Sequence, residues 1–173
     1  MSIPDFIAGF VYGMTGDNKL TEIEACFQGF EIMQPEIELG IADLKKGGWN
    51  NDIQAALQFG LVATQVPQAL STCENMDEDL AAIESWAQIF TNPVELASTV
   101  SKRFVLHHHA IENDISSLTT DWEAASYFTA GEDLANLLTD AVGPISTSLT
   151  MRPNMVPDMM SGWFQGMFGP APF

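Results

Sequence analysis

The chain has 173 residues, 46% of them hydrophobic, and 23 acidic against 6 basic residues set its net charge at −17. That length and apolar content suit one domain with a buried core and exclude an intrinsically disordered chain. So acidic a surface repels nucleic acid and anionic lipid headgroups, which excludes the first as a partner and disfavours the membrane.

In chain order, the first predicted element is a short apolar helix in "PDFIAGFVYGM", residues 4–14. The opening lacks a basic n-region and has Asp5 beside its apolar stretch, so it reads poorly as a signal peptide. A first body helix follows from about Leu20 to Lys46, with Leu20, Ile23, Phe27, Phe30, Gln34, Ile37, Ile41 and Leu44 on one seam. "KKGGWNN" breaks it, and a second helix runs from about Asn51 to Glu74 along Ile53, Ala56, Phe59, Ala63, Val66, Leu70 and Cys73. Pro35 and Pro67 fall inside these helices and are expected to kink or interrupt them.

"NMDEDLAAIESWAQIF" predicts a third helix with a stripe of Met76, Leu80, Ile83, Ala87 and Phe90. Asn92, Pro93 and Glu95 form the capping pattern of a long fourth helix to about Trp122, with Ala97, Val100, Phe104, Ile111, Ile115 and Leu118 on one face. A fifth runs from about Ser126 to Val142 and is stopped by Gly143-Pro144. No alternation typical of strands persists, and no apolar run approaches the ~20 residues that span a bilayer. The fold class is therefore all-α: an antiparallel bundle of four to five body helices with a short apolar helix at each end.

From Ser146 onward the only charges are Arg152 and Asp158. The chain accordingly divides into an acidic bundle, residues 1–145, and a linker with an apolar tail helix, residues 146–173. The tail repeats the head. Phe6, Ile7, Phe10, Val11 and Met14 correspond to Met159, Met160, Trp163, Phe164 and Met167 at a constant offset of 153, and Gly9 and Gly13 to Gly162 and Gly166. Glycines four apart permit close helix approach. Segments this short need a docking partner to be helical. They either close their own bundle, dock on a neighbouring copy, or hold an apolar ligand or membrane surface. The predicted contact residues are Phe6, Ile7, Phe10, Met159, Met160, Trp163, Phe164 and Met167.

Cys26 and Cys73 are the only cysteines and lie equidistant from the Trp49-Asn50 turn. In an antiparallel hairpin such positions face each other, so a disulfide is expected over two buried thiols, and with it an oxidising compartment: secreted, cell-surface or granule lumen. Were the thiols reduced, the protein would be cytosolic. The stretches "LTEIEACFQG" and "ALSTCENMDEDLAAIESWAQIFTNP" resemble a family of short acidic helical proteins found in ciliated protists, over about Phe6 to Ile145. The resemblance implies an all-helical fold and a cysteine placement, and carries no activity and no functional residue.

"LHHHAIE" invites a metal reading. Successive helical residues point about 100° apart, so His107, His108 and His109 cannot share one ion. The pair in register is His108 with Glu112, too few ligands for a tight site, and no metal or cofactor is expected. Acid pairs such as Glu22/Glu24 and Glu132/Asp133 read as solvated faces, and Asp77/Glu78/Asp79 as a first helical turn. The chain shows no GxSxG, Walker A or GxGxxG pattern. The expected function is thus a non-enzymatic structural protein that self-associates through its apolar terminal helices as a homo-oligomer or filament. The alternative is a carrier of a small apolar ligand, such as a lipid or pigment, held between those helices and the bundle.

Overall fold

The computed structural model describes residues 2–27 and 30–145. The predicted tail helix, with Met159, Met160, Trp163, Phe164 and Met167, lies outside the described residues.

The first helix, α1 (Ile3–Thr15), starts where Ser2 Oγ accepts the Asp5 amide at 3.4 Å. It ends at Gly16, whose φ of 80° only glycine adopts without strain. The predicted first body helix is two helices, α2 (Leu20–Cys26) and α3 (Phe30–Lys46). Phe27 leaves the helix with an extended backbone, φ −60° and ψ 124°. The break resets the seam: Met33, Ile37, Ile41 and Leu44 of α3 are buried, and Gln34, expected on the seam, is exposed. Gly29 in "FQGF" is the sequence signal for that break.

Helix α4 (Trp49–Ala69) follows the Gly47-Gly48 turn, both glycines with positive φ. α3 and α4 run through Pro35 and Pro67 without ending there. Helix α5 (Asp77–Ala87) passes into a single 3-10 turn, Gln88–Thr91. Helix α6 (Pro93–Glu123) opens on the predicted capping box. Asn92 Oδ1 accepts the Glu95 amide at 3.3 Å, and the Asn92 side-chain amide donates to Glu95 Oε2 at 3.4 Å. His107 leaves helical geometry, φ −121° and ψ 15°, and kinks α6. Before the kink Leu96 is buried in place of the expected Ala97; after it Ile111 and Leu118 take the core positions. Helix α7 (Tyr127–Val142) ends at Gly143, φ 108°.

Among the described residues the protein is all-α, with seven helices and no strand. Helix α7 is central: α1 packs along one side of it and α6, antiparallel, along the other. The α3–α4 hairpin forms the second half of the bundle, with α5 laid on α4. Phe6 of α1 meets the edge of Trp122 of α6 with ring centroids 5.5 Å apart, and Trp122 meets Tyr127 of α7 at 5.4 Å. The two halves join where Trp49 meets Phe104 in an edge-on contact, ring centroids 4.4 Å apart, and Lys45 bonds Glu123 at 2.9 Å.

Candidate interaction surface

Cys26 ends α2 and Cys73 lies in the turns after α4. The two are joined by a disulfide with Cα atoms 5.4 Å apart. It ties the α2–α3 break to the α4–α5 connection, at the open end of the α3–α4 hairpin. Beside it, Ile32, Gln65 and Thr72 line an open hollow of about 450 Å³ between α3 and the end of α4.

Phe6, Ile7 and Phe10 do not lie on a surface. Each is at most 1% exposed, in the chain's own core. Of the three alternatives for α1, this burial fits closure of its own bundle and corrects Phe6, Ile7 and Phe10 as contact residues for a neighbour or a ligand, and the reason is backbone proximity. A β-carbon on Gly9 would collide with the Phe128 carbonyl, and one on Gly131 with the Phe6 carbonyl, while Gly13 packs on Glu132 and Ala135. Glycines on both helices let α1 and α7 approach until α1 is buried nearly all round, and Phe6, Ile7 and Phe10 contribute roughly 1.5–3 kcal/mol each by that burial. The glycine spacing in α1 thus serves a contact within the chain.

The histidine run falls on the kink of α6. His107 is half-buried, and His108 and His109 are exposed. His109, not His108, reaches Glu112, with Nδ1 3.8 Å from Oε2 and both side chains well exposed. No group of three or more His, Cys, Asp or Glu side chains among the described residues is arranged to hold a metal ion. No helix among the described residues is long and apolar enough to cross a membrane.

What periodicity did not reveal is the surface left apolar. Ile32 and Leu39 on α3, Leu61 on α4, and Val94, Val105 and Leu106 on α6 are all exposed. Ile32 and Leu39 stand seven residues apart and therefore on one face of α3. At the closed end of the hairpin, Leu44, Trp49, Phe104 and Ile115 line an open hollow of about 410 Å³, rimmed by Asp52 and Glu112. Behind it an apolar cavity of about 40 Å³ reaches Ile53, Val100 and Leu138. Burial, and then the charge of Glu112, push the Asp52 carboxyl above its ordinary value.

The fold and this surface define a class: a disulfide-closed, acidic, all-α bundle with apolar side chains on its outer helices. The chain belongs to the SctB-like family, described as secreted protein B-like, which it matches over residues 2–140. That match covers the bundle from α1 into α7 and names secretion rather than any group of organisms. No curated protein and no solved structure matches the chain. A family described as secreted and a disulfide both fit an oxidising compartment.

Proposed function

We propose that the protein is a secreted, non-enzymatic structural module that self-associates through apolar surface into a homo-oligomer or filament. The observation that carries this reading is the exposed apolar side chains of the α3–α4 hairpin, Ile32 and Leu39 on one face of α3 and Leu61 on α4. On a chain of net charge −17, large apolar side chains clustered on one hairpin fit a surface meant to be covered. The stripe of Met159, Met160, Trp163, Phe164 and Met167 supplies the second contact in this reading. A tail seated on a neighbour's hairpin is a heterologous contact, which builds rings or filaments. The family description and the disulfide support release into an oxidising space, whether outside the cell, at its surface or in a granule lumen.

Light scattering after size exclusion tests the reading on three proteins: the full chain, a chain ending at Ile145, and Leu39→Glu. The full chain is expected to form particles larger than a monomer, and both altered proteins to form smaller ones. A monomeric full chain at high concentration refutes the proposal. Added salt should enlarge the particles, because it screens repulsion between acidic bodies.

A second reading rests on the hollow beside Trp49 and Phe104, whose volume of about 410 Å³ and aromatic wall suit a small apolar ligand. In this carrier reading the ligand lies between the hairpin and α6, not against the filled α1. Native mass spectrometry of protein purified from its source would show the added mass of a retained ligand.

A further inference from the structure

Helices α6 and α7 bring four aspartates together along their seam. Asp114 and Asp121 lie seven residues apart on α6, and Asp133 and Asp140 seven apart on α7. Seven residues is two helical turns, so each pair holds one edge of its helix, and in antiparallel packing Asp114 meets Asp140 while Asp121 meets Asp133. The side chains do meet in that register, each pair within hydrogen-bonding reach. All four are half-buried. Asp114 Oδ2 and Asp133 Oδ2 are shielded from solvent and find no donor among the described residues.

The surrounding charges do not resolve this. Helix α7 carries no Lys or Arg, and the only two on α6 are Lys102 and Arg103. Arg103 is committed to main-chain carbonyls, donating Nε to Asp140 O at 2.9 Å and a terminal amine to Thr139 O at 3.3 Å. Lys45 of α3 is bonded to Glu123. Glu132 stands beside Asp133 and adds repulsion. Helix α1, on the far side of α7, brings Asp5 and Tyr12 as its titratable groups, and α4 brings Asp52, which faces Glu112. Among the described residues no cation pairs with any of the four aspartates.

Two carboxylates in contact and partly out of water repel each other, and the one donor that either can find is a proton on its neighbour. We infer that the α6–α7 seam is a proton latch, in which Asp114–Asp140 and Asp121–Asp133 each hold one shared proton while the seam is shut. Release of those protons to solvent turns each hydrogen bond into a repulsion and loosens α7 from α6. Because α7 also carries α1, loosening the seam weakens the whole α1–α7–α6 half.

The direction of the pH response follows. Burial first, and then the facing aspartate, raise Asp133 from 3.8 to about 7 and Asp114 from 3.8 to about 6. Between the unfolded value and those folded values the native state binds more protons than the unfolded chain, so stability falls as pH rises. The contribution is full near the ordinary carboxylate range, drains away as pH climbs through about 6 and then about 7, and is gone above that.

Thermal unfolding of the full chain, followed by circular dichroism, tests the latch. The midpoint is expected to drop by about 5 °C between about pH 5.5 and about pH 8. Asp114→Asn with Asp133→Asn replaces each shared proton by an amide donor that does not titrate. That double variant keeps Asp52 and Asp79, whose carboxyls burial also raises, so some slope remains, and less than half the drop is expected. A flat wild type, or a parallel fall in both proteins, overturns the inference. Should the variant fail to fold, infrared spectroscopy of the wild type decides. A carboxylic-acid carbonyl band persisting at about pH 6 and lost by about pH 8 upholds the latch, and its absence at about pH 6 refutes it.

Discussion

Gly9 of α1 lies against the main-chain carbonyl of Phe128 in α7, with no room for a β-carbon between them. The obstacle is backbone, which cannot swing aside as a side chain would. Gly131 stands in the same relation to Phe6, so the two helices are locked from both directions. Gly9→Ala and Gly131→Ala should each destabilise the protein by about 2 kcal/mol or more, despite the better helix propensity of alanine. Urea unfolding checks this. A stability gain at either site would show that α1 does not sit in the groove of α7.

The disulfide encloses the α3–α4 hairpin, with 47 residues of sequence separation between Cys26 and Cys73. Intact mass under non-reducing conditions should fall short of the reduced chain by two hydrogens. Cys26→Ser with Cys73→Ser should cost ~4 kcal/mol by the chain-entropy model, read from the shift in denaturant midpoint. Two freely alkylated thiols in native material would sink both this prediction and the oxidising compartment.

Two side chains distant in sequence finish the C-terminal end of α7. Arg103 donates to the carbonyls of Thr139 and Asp140, and the Trp86 indole donates to the Gly143 carbonyl at 2.8 Å. Arg103→Met should cost about 1–3 kcal/mol, because two main-chain acceptors lose a charged donor at a helix C-terminus. Trp86→Phe should cost less, about 1 kcal/mol, since one neutral hydrogen bond is lost and the ring can still pack on Phe90. Equal effects from the two substitutions would contradict this ranking.

Replacing His107, His108 and His109 together with Gln should leave the metal content of the protein unchanged. Elemental analysis of the two proteins makes the comparison. The reason is geometric: His109 and Glu112 form one exposed contact, the His108 ring lies against the His109 ring at 3.9 Å, and no third ligand completes a site among the described residues. Loss of a stoichiometric metal on this substitution would contradict this geometry and place a metal site on α6.

Much of the fold was legible from the order of residues. Apolar spacing marked helices throughout. Asn92, Pro93 and Glu95 announced the start of α6, and the glycines at 47–48 and 143 announced two ends. These signals are local, because a cap or a left-handed turn depends on residues a few positions apart. A heptad-like spacing persists across the split between α2 and α3 and masks it in the sequence, although Phe27 turns out of the helix. The kink at His107 was likewise hidden, and it moved the buried position from Ala97 to Leu96. What only the tertiary structure decided was which faces meet. The stripe of Phe6, Ile7 and Phe10 has the pattern of a docking surface, and whether it is turned outward depends on Gly131, more than a hundred residues away. Of the four aspartates of α6 and α7, Asp133 reads with Glu132 as a solvated face, and Asp114, Asp121 and Asp140 carry no signal of their own. They become a seam because antiparallel packing lays two seven-residue spacings side by side, a relation between helices that neither helix carries by itself.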